Sequence, residues 1–280
     1  MIRLLMAFFL AAWLGGCAAS EEQSIFQSEA LPQQIVESER WDGTRWLPRE
    51  RVTTTYIAPD QVLSSITEKW RDGEWLLQQQ TTSVYDTLPT RYQLREQHMA
   101  YWVEGTSQPA TRTIPVYKDT LLVQSDAYSR VGDAWERSQR SELRYTDDGL
   151  LETIVLQRPL YDADGDPEHM ASANADTALA WLNEMRTTYT YAGGRLETTV
   201  IDRWNDAQAA WLPASRAQYR YDAEGREAEV LMQEPGQVTW HDVSRKQKTY
   251  DDQQRLISEL TEAKDDLDWT PTSRRTVRYE

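Results

Sequence analysis

One cysteine, three phenylalanines and three histidines in 280 residues leave this chain poorly supplied for several kinds of chemistry. Cys17 has no second cysteine to pair with, so the fold holds together without an internal disulfide. His98, His169 and His241 are widely separated and form no metal-ligand spacing. No Ser/His/Asp arrangement, phosphate-binding glycine loop or zinc motif is present, and the abundant carboxylates keep no fixed acid–base spacing. The expectation is a protein that is not an enzyme and carries no cofactor. Positive charge is also in deficit, with 30 Lys and Arg against 45 Asp and Glu and a formal net charge of −15. Nucleic acid is therefore an unfavourable partner, because binding it rests on neutralising phosphates. Past residue 14 no apolar run is long enough to cross a bilayer as a helix.

The apolar run that does exist is at the N-terminus. Met1-Ile2-Arg3 supplies one positive charge, and Leu4 to Leu14 is almost wholly apolar. This reads as a secretory signal, too short for a spanning helix of ~20 residues. Leu14-Gly15-Gly16-Cys17 resembles the lipobox of bacterial lipoproteins. That resemblance implies cleavage before Cys17, acylation of its sulfur and new amino group with palmitate-type chains, and a membrane partner through that lipid. Ala18, where an aspartate would resemble an inner-membrane retention signal, implies outer-membrane sorting in a two-membrane bacterium, with the periplasmic or surface side left open. Residues 1–16 are then the signal and 17–36 a polar, patternless tether.

Residues 37–280 carry an internal repeat. Trp46, Trp75, Trp135, Trp181, Trp211, Trp240 and Trp269 are each followed ten residues later by a tyrosine: Tyr56, Tyr85, Tyr145, Tyr191, Tyr221, Tyr250 and Tyr279. From composition, chance would place roughly 0.6 such pairs, so the repeat is real. A degenerate unit has Ser107 in place of Trp before Tyr117. Arginine recurs five residues after the Trp position at Arg51, Arg112, Arg140, Arg186, Arg216, Arg245 and Arg274, with Gln80 replacing it once. Successive tyrosines lie about 29 residues apart, except for one interval that marks an insertion at 158–180.

Each unit reads as two strands. In Trp211 to Tyr221, Ala217, Tyr219 and Tyr221 alternate with Arg216, Gln218 and Arg220, the period of a half-buried strand. Asp222-Ala-Glu-Gly225 then supplies turn chemistry before a second strand. Eight units give an all-β fold of about 16 antiparallel strands in hairpins. An open stack would span ~75 Å at ~4.8 Å per strand, so the sheet is expected to be elongated and twisted, or wrapped around its aromatic face. A transmembrane barrel is the second architecture, disfavoured by strands as polar as Arg51-Val-Thr-Thr-Thr-Tyr56. Because ten is even, an unbroken strand would put Trp and Tyr on one face and the arginine on the other.

Tyr221-Asp-Ala-Glu-Gly225-Arg226 resembles the tyrosine–aspartate (YD, or RHS-type) repeat of bacterial surface proteins, with near matches at Tyr191 and Tyr145. Tyr250-Asp-Asp-Gln-Gln254-Arg255 lacks the glycine, and Tyr56 and Tyr85 lack the Gly-Arg pair. The resemblance implies antiparallel hairpins and no catalytic residues.

Two places carry ligand expectations. Trp41, Trp46, Trp70 and Trp75, where tryptophan is densest, are the candidate sites for glycan binding through exposed rings. Asp162, Asp164 and Asp166 resemble the start of a calcium loop but meet Pro167 and Ala173 where such a loop has Gly and Glu, so metal is a weak expectation. The functional expectation is a non-catalytic, outer-membrane-anchored scaffold for an envelope protein, with a glycan-binding module as the alternative.

Overall fold

The computed structural model describes residues 31–59, 61–88, 91–103, 106–160, 180–265 and 268–279. They form sixteen antiparallel strands: β1 (Gln33–Trp41), β2 (Trp46–Ala58), β3 (Gln61–Arg71), β4 (Glu74–Leu88), β5 (Arg91–Val103), β6 (Thr106–Lys118), β7 (Leu121–Val131) and β8 (Ala134–Tyr145). The second half comprises β9 (Leu151–Pro159), β10 (Trp181–Ala192), β11 (Arg195–Asn205), β12 (Ala210–Tyr221), β13 (Glu227–Pro235), β14 (Trp240–Tyr250), β15 (Leu256–Asp265) and β16 (Asp268–Tyr279). Every strand pairs with its sequence neighbours, and β1 pairs with β16, so the sheet closes into a barrel. Closure removes the exposed edges that an open sheet would present. The first strand starts four residues earlier than the tether boundary implied: Gln33 opens β1, and Val36 is only 6% exposed against Val52 and Val277.

The strands are not unbroken, and this corrects the expected sharing of faces. In each even-numbered strand the residue three positions after the Trp site is skipped in the register with the preceding strand. Ala214 is skipped between Pro213 and Ser215, and Arg49, Gln78, Ala110, Ser138, Glu184, Val243 and Thr272 are skipped likewise. Each is a β-bulge, which shifts the alternation by one residue. Trp211 therefore shares a face with Arg216 and with Asp202, the partner of Arg186, while Ala217, Tyr219 and Tyr221 occupy the other. The wall has an arginine–tryptophan face and a tyrosine face.

Few apolar side chains are deeply buried. Leu143, Leu151 and Ile154 form one cluster on the tyrosine face, with Leu122, Tyr145 and Tyr189 packed against it. Elsewhere on that face the buried apolar positions are few, among them Val36, Val230 and Val277, and many buried positions are small and polar: Ser83, Ser125, Ser141, Thr187 and Thr199 are all below 10% exposed. A wall this thin in hydrocarbon relies on its ladder hydrogen bonds and on side-chain pairs.

The turns that follow the tyrosines explain the Tyr-Asp…Gly-Arg spacing. The Asp222 carboxylate accepts the Arg226 backbone N–H at 2.8 Å and its Nε–H at 2.7 Å. Gly225 sits at φ +83°, and a side chain there would also meet the Arg195 guanidinium. At the matching position after Tyr250, where glycine is missing, Gln254 itself adopts φ 64°. Asp251 holds Arg255 as Asp222 holds Arg226.

Candidate functional site

A ladder of arginines runs around the Trp-bearing face, and each complete rung is built from three strands. Arg186 on β10 donates from Nε (3.0 Å) and Nη2 (2.7 Å) to Asp202 on β11, and its guanidinium lies 5.0 Å from the ring of Trp211 on β12. The same unit recurs as Arg51–Glu68–Trp75, Arg216–Gln233–Trp240 and Arg245–Glu262–Trp269. Arg274 on β16 completes the circle, donating to Glu39 on β1 at 2.8 Å and lying 5.0 Å from Trp46 on β2. Arg140 stacks on Trp181 at 4.4 Å but takes its carboxylate from the preceding strand, Asp126 at 2.9 Å. The rung carboxylates are well covered, with Asp126, Asp202 and Glu262 at 6–8% exposure. A planar guanidinium suits both contacts, since its edge hydrogen-bonds while its face stacks. The Glu68 hydrogen bond also holds the Arg51 guanidinium protonated more firmly than usual.

A second ladder lies at the opposite strand ends. The Tyr221 hydroxyl donates to the Leu196 carbonyl at 2.8 Å, and Tyr85, Tyr145, Tyr191, Tyr250 and Tyr279 do the same to Val62, Leu122, Leu151, Glu227 and Leu256. Each accepting residue precedes a bulge on the odd-numbered strand, where the regular ladder is interrupted. Above these hydroxyls the turn arginines stack on the next tyrosine: Arg195 on Tyr221, Arg226 on Tyr250 and Arg255 on Tyr279. Burial pushes the Tyr219 and Tyr221 hydroxyls above their usual range; Tyr221 donates to Leu196, while Tyr219 accepts from the Thr199 hydroxyl at 3.3 Å.

The four tryptophans singled out from sequence form two cross-hairpin pairs. The Trp41 and Trp46 rings lie 5.3 Å apart, and Trp70 and Trp75 lie 5.1 Å apart in an edge-to-face contact. Trp70 is exposed at 38%, while the other three are half-buried, and Trp46 and Trp75 each carry an arginine of the ladder. A further pair, Trp204 and Trp211 at 5.1 Å, shows that this arrangement belongs to the repeat rather than to one place. Cys17 and the acidic series Asp162, Asp164 and Asp166 lie outside the described residues. Among the described residues no three His, Cys, Asp or Glu side chains gather closely enough to hold a metal ion. The carboxylate members of the rungs escaped the sequence reading. The signal was there, since Arg51, Arg186, Arg216 and Arg245 each have an acid or glutamine 16 or 17 residues later.

One rung is missing all three of its members. Gln80 stands at the arginine position on β4, its register partner Ala100 at the acid position on β5, and Ser107 at the tryptophan position on β6. A cavity of about 210 Å3 opens there.

No protein family matches this sequence, and no curated protein does. Similarity appears only among solved structures. A porin-like protein from Bacteroides uniformis aligns over 89% of this chain and 98% of its own, at 10% identity and a TM-score of 0.50. A porin-like protein from Bacteroides vulgatus aligns over 87% and 97%, at 10% identity and a TM-score of 0.45. A shorter protein of unknown function from Bacteroides fragilis covers 47% of this chain and 87% of its own, at 11% identity and a TM-score of 0.37. At 10% identity the likeness to the Bacteroides uniformis protein extends to the fold alone.

Proposed function

We propose that this chain is an outer-membrane lipoprotein of the cell envelope, held by an acylated Cys17, whose barrel stands in water as a non-catalytic binding scaffold. The observation that carries the reading is the register, which places charge at mid-strand on both faces of the wall. One face has the ring of Arg51, Arg112, Arg140, Arg186, Arg216, Arg245 and Arg274. The other carries Lys246, Lys248, Glu259 and Arg275 toward the barrel seam. A barrel that spans a bilayer needs an outward apolar band, and each Arg or Lys at the midplane costs about 2–4 kcal/mol. Neither face supplies that band, so attachment falls to the lipid. Several acyl chains suffice, at ~0.8 kcal/mol per buried methylene. The buried wall carboxylates are paired, Asp126, Asp202 and Glu262 with rung arginines and Glu259 with Lys246, which favours a scaffold over acid–base chemistry.

The test is Cys17→Ala in the full-length precursor, expressed in a two-membrane bacterium. The unaltered protein is expected to incorporate labelled palmitate and to sediment with outer membranes. The variant should lose the label and move to the soluble periplasmic fraction. A variant that stays in the membrane pellet after a carbonate wash would overturn this reading.

A further inference from the structure

We infer that the gap left by the missing rung is a binding site for a single neutral sugar ring. The inference deepens the scaffold reading, on which it rests, by naming a ligand class and a place. Around the barrel, arginine, its hydrogen-bonding partner and tryptophan recur together. At Gln80, Ala100 and Ser107 they are lost together, and all three residues line the same cavity. An isolated loss would leave a buried charge or an uncovered ring. The joint loss leaves a space that is neutral and still walled by aromatics.

The remaining walls define what fits. Trp102, opposite Ser107 across the hairpin, and Trp135 from β8 border the cavity, and Thr82 and His98 also line it. Both indoles are half-buried. Trp135 also carries the guanidinium of Arg130, 5.8 Å from its ring centre. The nearby carboxylate, Glu96, is already held by Arg112 and by His98 Nε2 at 3.1 Å. The pocket thus offers no uncompensated charge to a cation or an anion. It offers two flat apolar rings, an amide at Gln80 and hydroxyls at Thr82 and Ser107. Apolar walls with a few convergent neutral hydrogen-bonding groups suit a pyranose, whose C–H faces pack on indoles while its hydroxyls bond at the edge. At about 210 Å3 the cavity is smaller than the roughly 300–1,000 Å3 of a drug-sized site, which limits it to one ring.

The experiment uses the full acylated protein in a zwitterionic detergent free of sugar. Methyl α-glucoside, methyl α-mannoside, methyl β-galactoside and N-acetylglucosamine are titrated and read by saturation-transfer NMR. Galacturonate and L-arginine serve as charged controls. Binding of at least one neutral sugar is expected, with the charged controls at least tenfold weaker. A triple variant, Gln80→Arg, Ala100→Glu and Ser107→Trp, rebuilds the rung and fills the cavity. It should keep the barrel's urea midpoint or raise it while losing sugar binding. Trp102→Ala should weaken binding at least tenfold. The inference is overturned if no neutral sugar binds, if a charged control binds more tightly, or if the rebuilt rung binds as the original does. Failure of sugar binding in a protein that still releases on Cys17→Ala would overturn this site and leave the tethered scaffold standing.

Discussion

At the scale of single residues, arginine closes the gap between strands that share little apolar contact. In a complete rung the guanidinium bonds a carboxylate, or in one case the Gln233 amide oxygen, and lies over an indole, two interactions that an ammonium could not make with the same geometry. Removing it should cost more than removing a surface pair. Arg186→Met would leave Asp202, which is 6% exposed, with its carboxylate unpaired. Arg186 is itself about one-third exposed, so the loss is moderated by water, and we expect about 2 kcal/mol. Arg220→Met is the control. Arg220 bonds Glu229 at 2.8 Å but is 65% exposed, and its loss should stay within about 0.5 kcal/mol. Urea unfolding of both variants decides the matter. Equal midpoints would mean that the rungs contribute no more than surface pairs.

At the scale of elements, the bulge decides which residues meet, and it was only half legible in the sequence. The Trp-to-Tyr spacing, the hairpin turns and the strand count follow from residue pattern. The faces do not, because the skipped residue has no chemical signature: Arg49, Gln78, Ala110, Ser138, Glu184, Ala214, Val243 and Thr272 share nothing but position. A clue stands beside it. Pro48, Pro109, Pro213 and Pro271 immediately precede the bulge in four units, and proline within a sheet marks an edge or a bulge because it has no N–H to donate. The carboxylate partners lie on a different strand from their arginines, and among many acids the 16- or 17-residue spacing that marks them takes on meaning once the register is known. The missing rung was visible as two separate substitutions, Gln80 and Ser107, but their partnership is a matter of topology.

The second bulge, on every odd-numbered strand from β3 to β15, leads to a further expectation. Tyr221 donates across the hairpin boundary to the Leu196 carbonyl beside such a bulge. Tyr221→Phe keeps the ring under Arg195 and removes only that bond, so it should cost about 1 kcal/mol. Hydrogen exchange should quicken at the junction between the Leu196 and Tyr221 hairpins and little elsewhere. Unchanged exchange there would show that the hydroxyl contributes nothing to holding adjacent hairpins.

At the scale of the whole molecule, a period of about 29 residues closes on itself after eight units, with Arg274, Glu39 and Trp46 making across the seam the same contact that Arg186, Asp202 and Trp211 make within it. The sequence indicated an elongated, twisted or wrapped sheet of about 16 strands, with closure left open. Closure follows from the last unit finding its missing acid and indole in the first hairpin. Both faces of the resulting wall carry charge at mid-strand, and the excess of acids sets a net negative barrel. We propose that this barrel is a water-standing body and not a membrane wall. Its most direct test is sedimentation velocity with far-ultraviolet circular dichroism on residues 18–280, purified without detergent. A β-rich, discrete, non-aggregated species is expected. A chain that aggregates in buffer and becomes β-rich only in detergent micelles or lipid vesicles would contradict it.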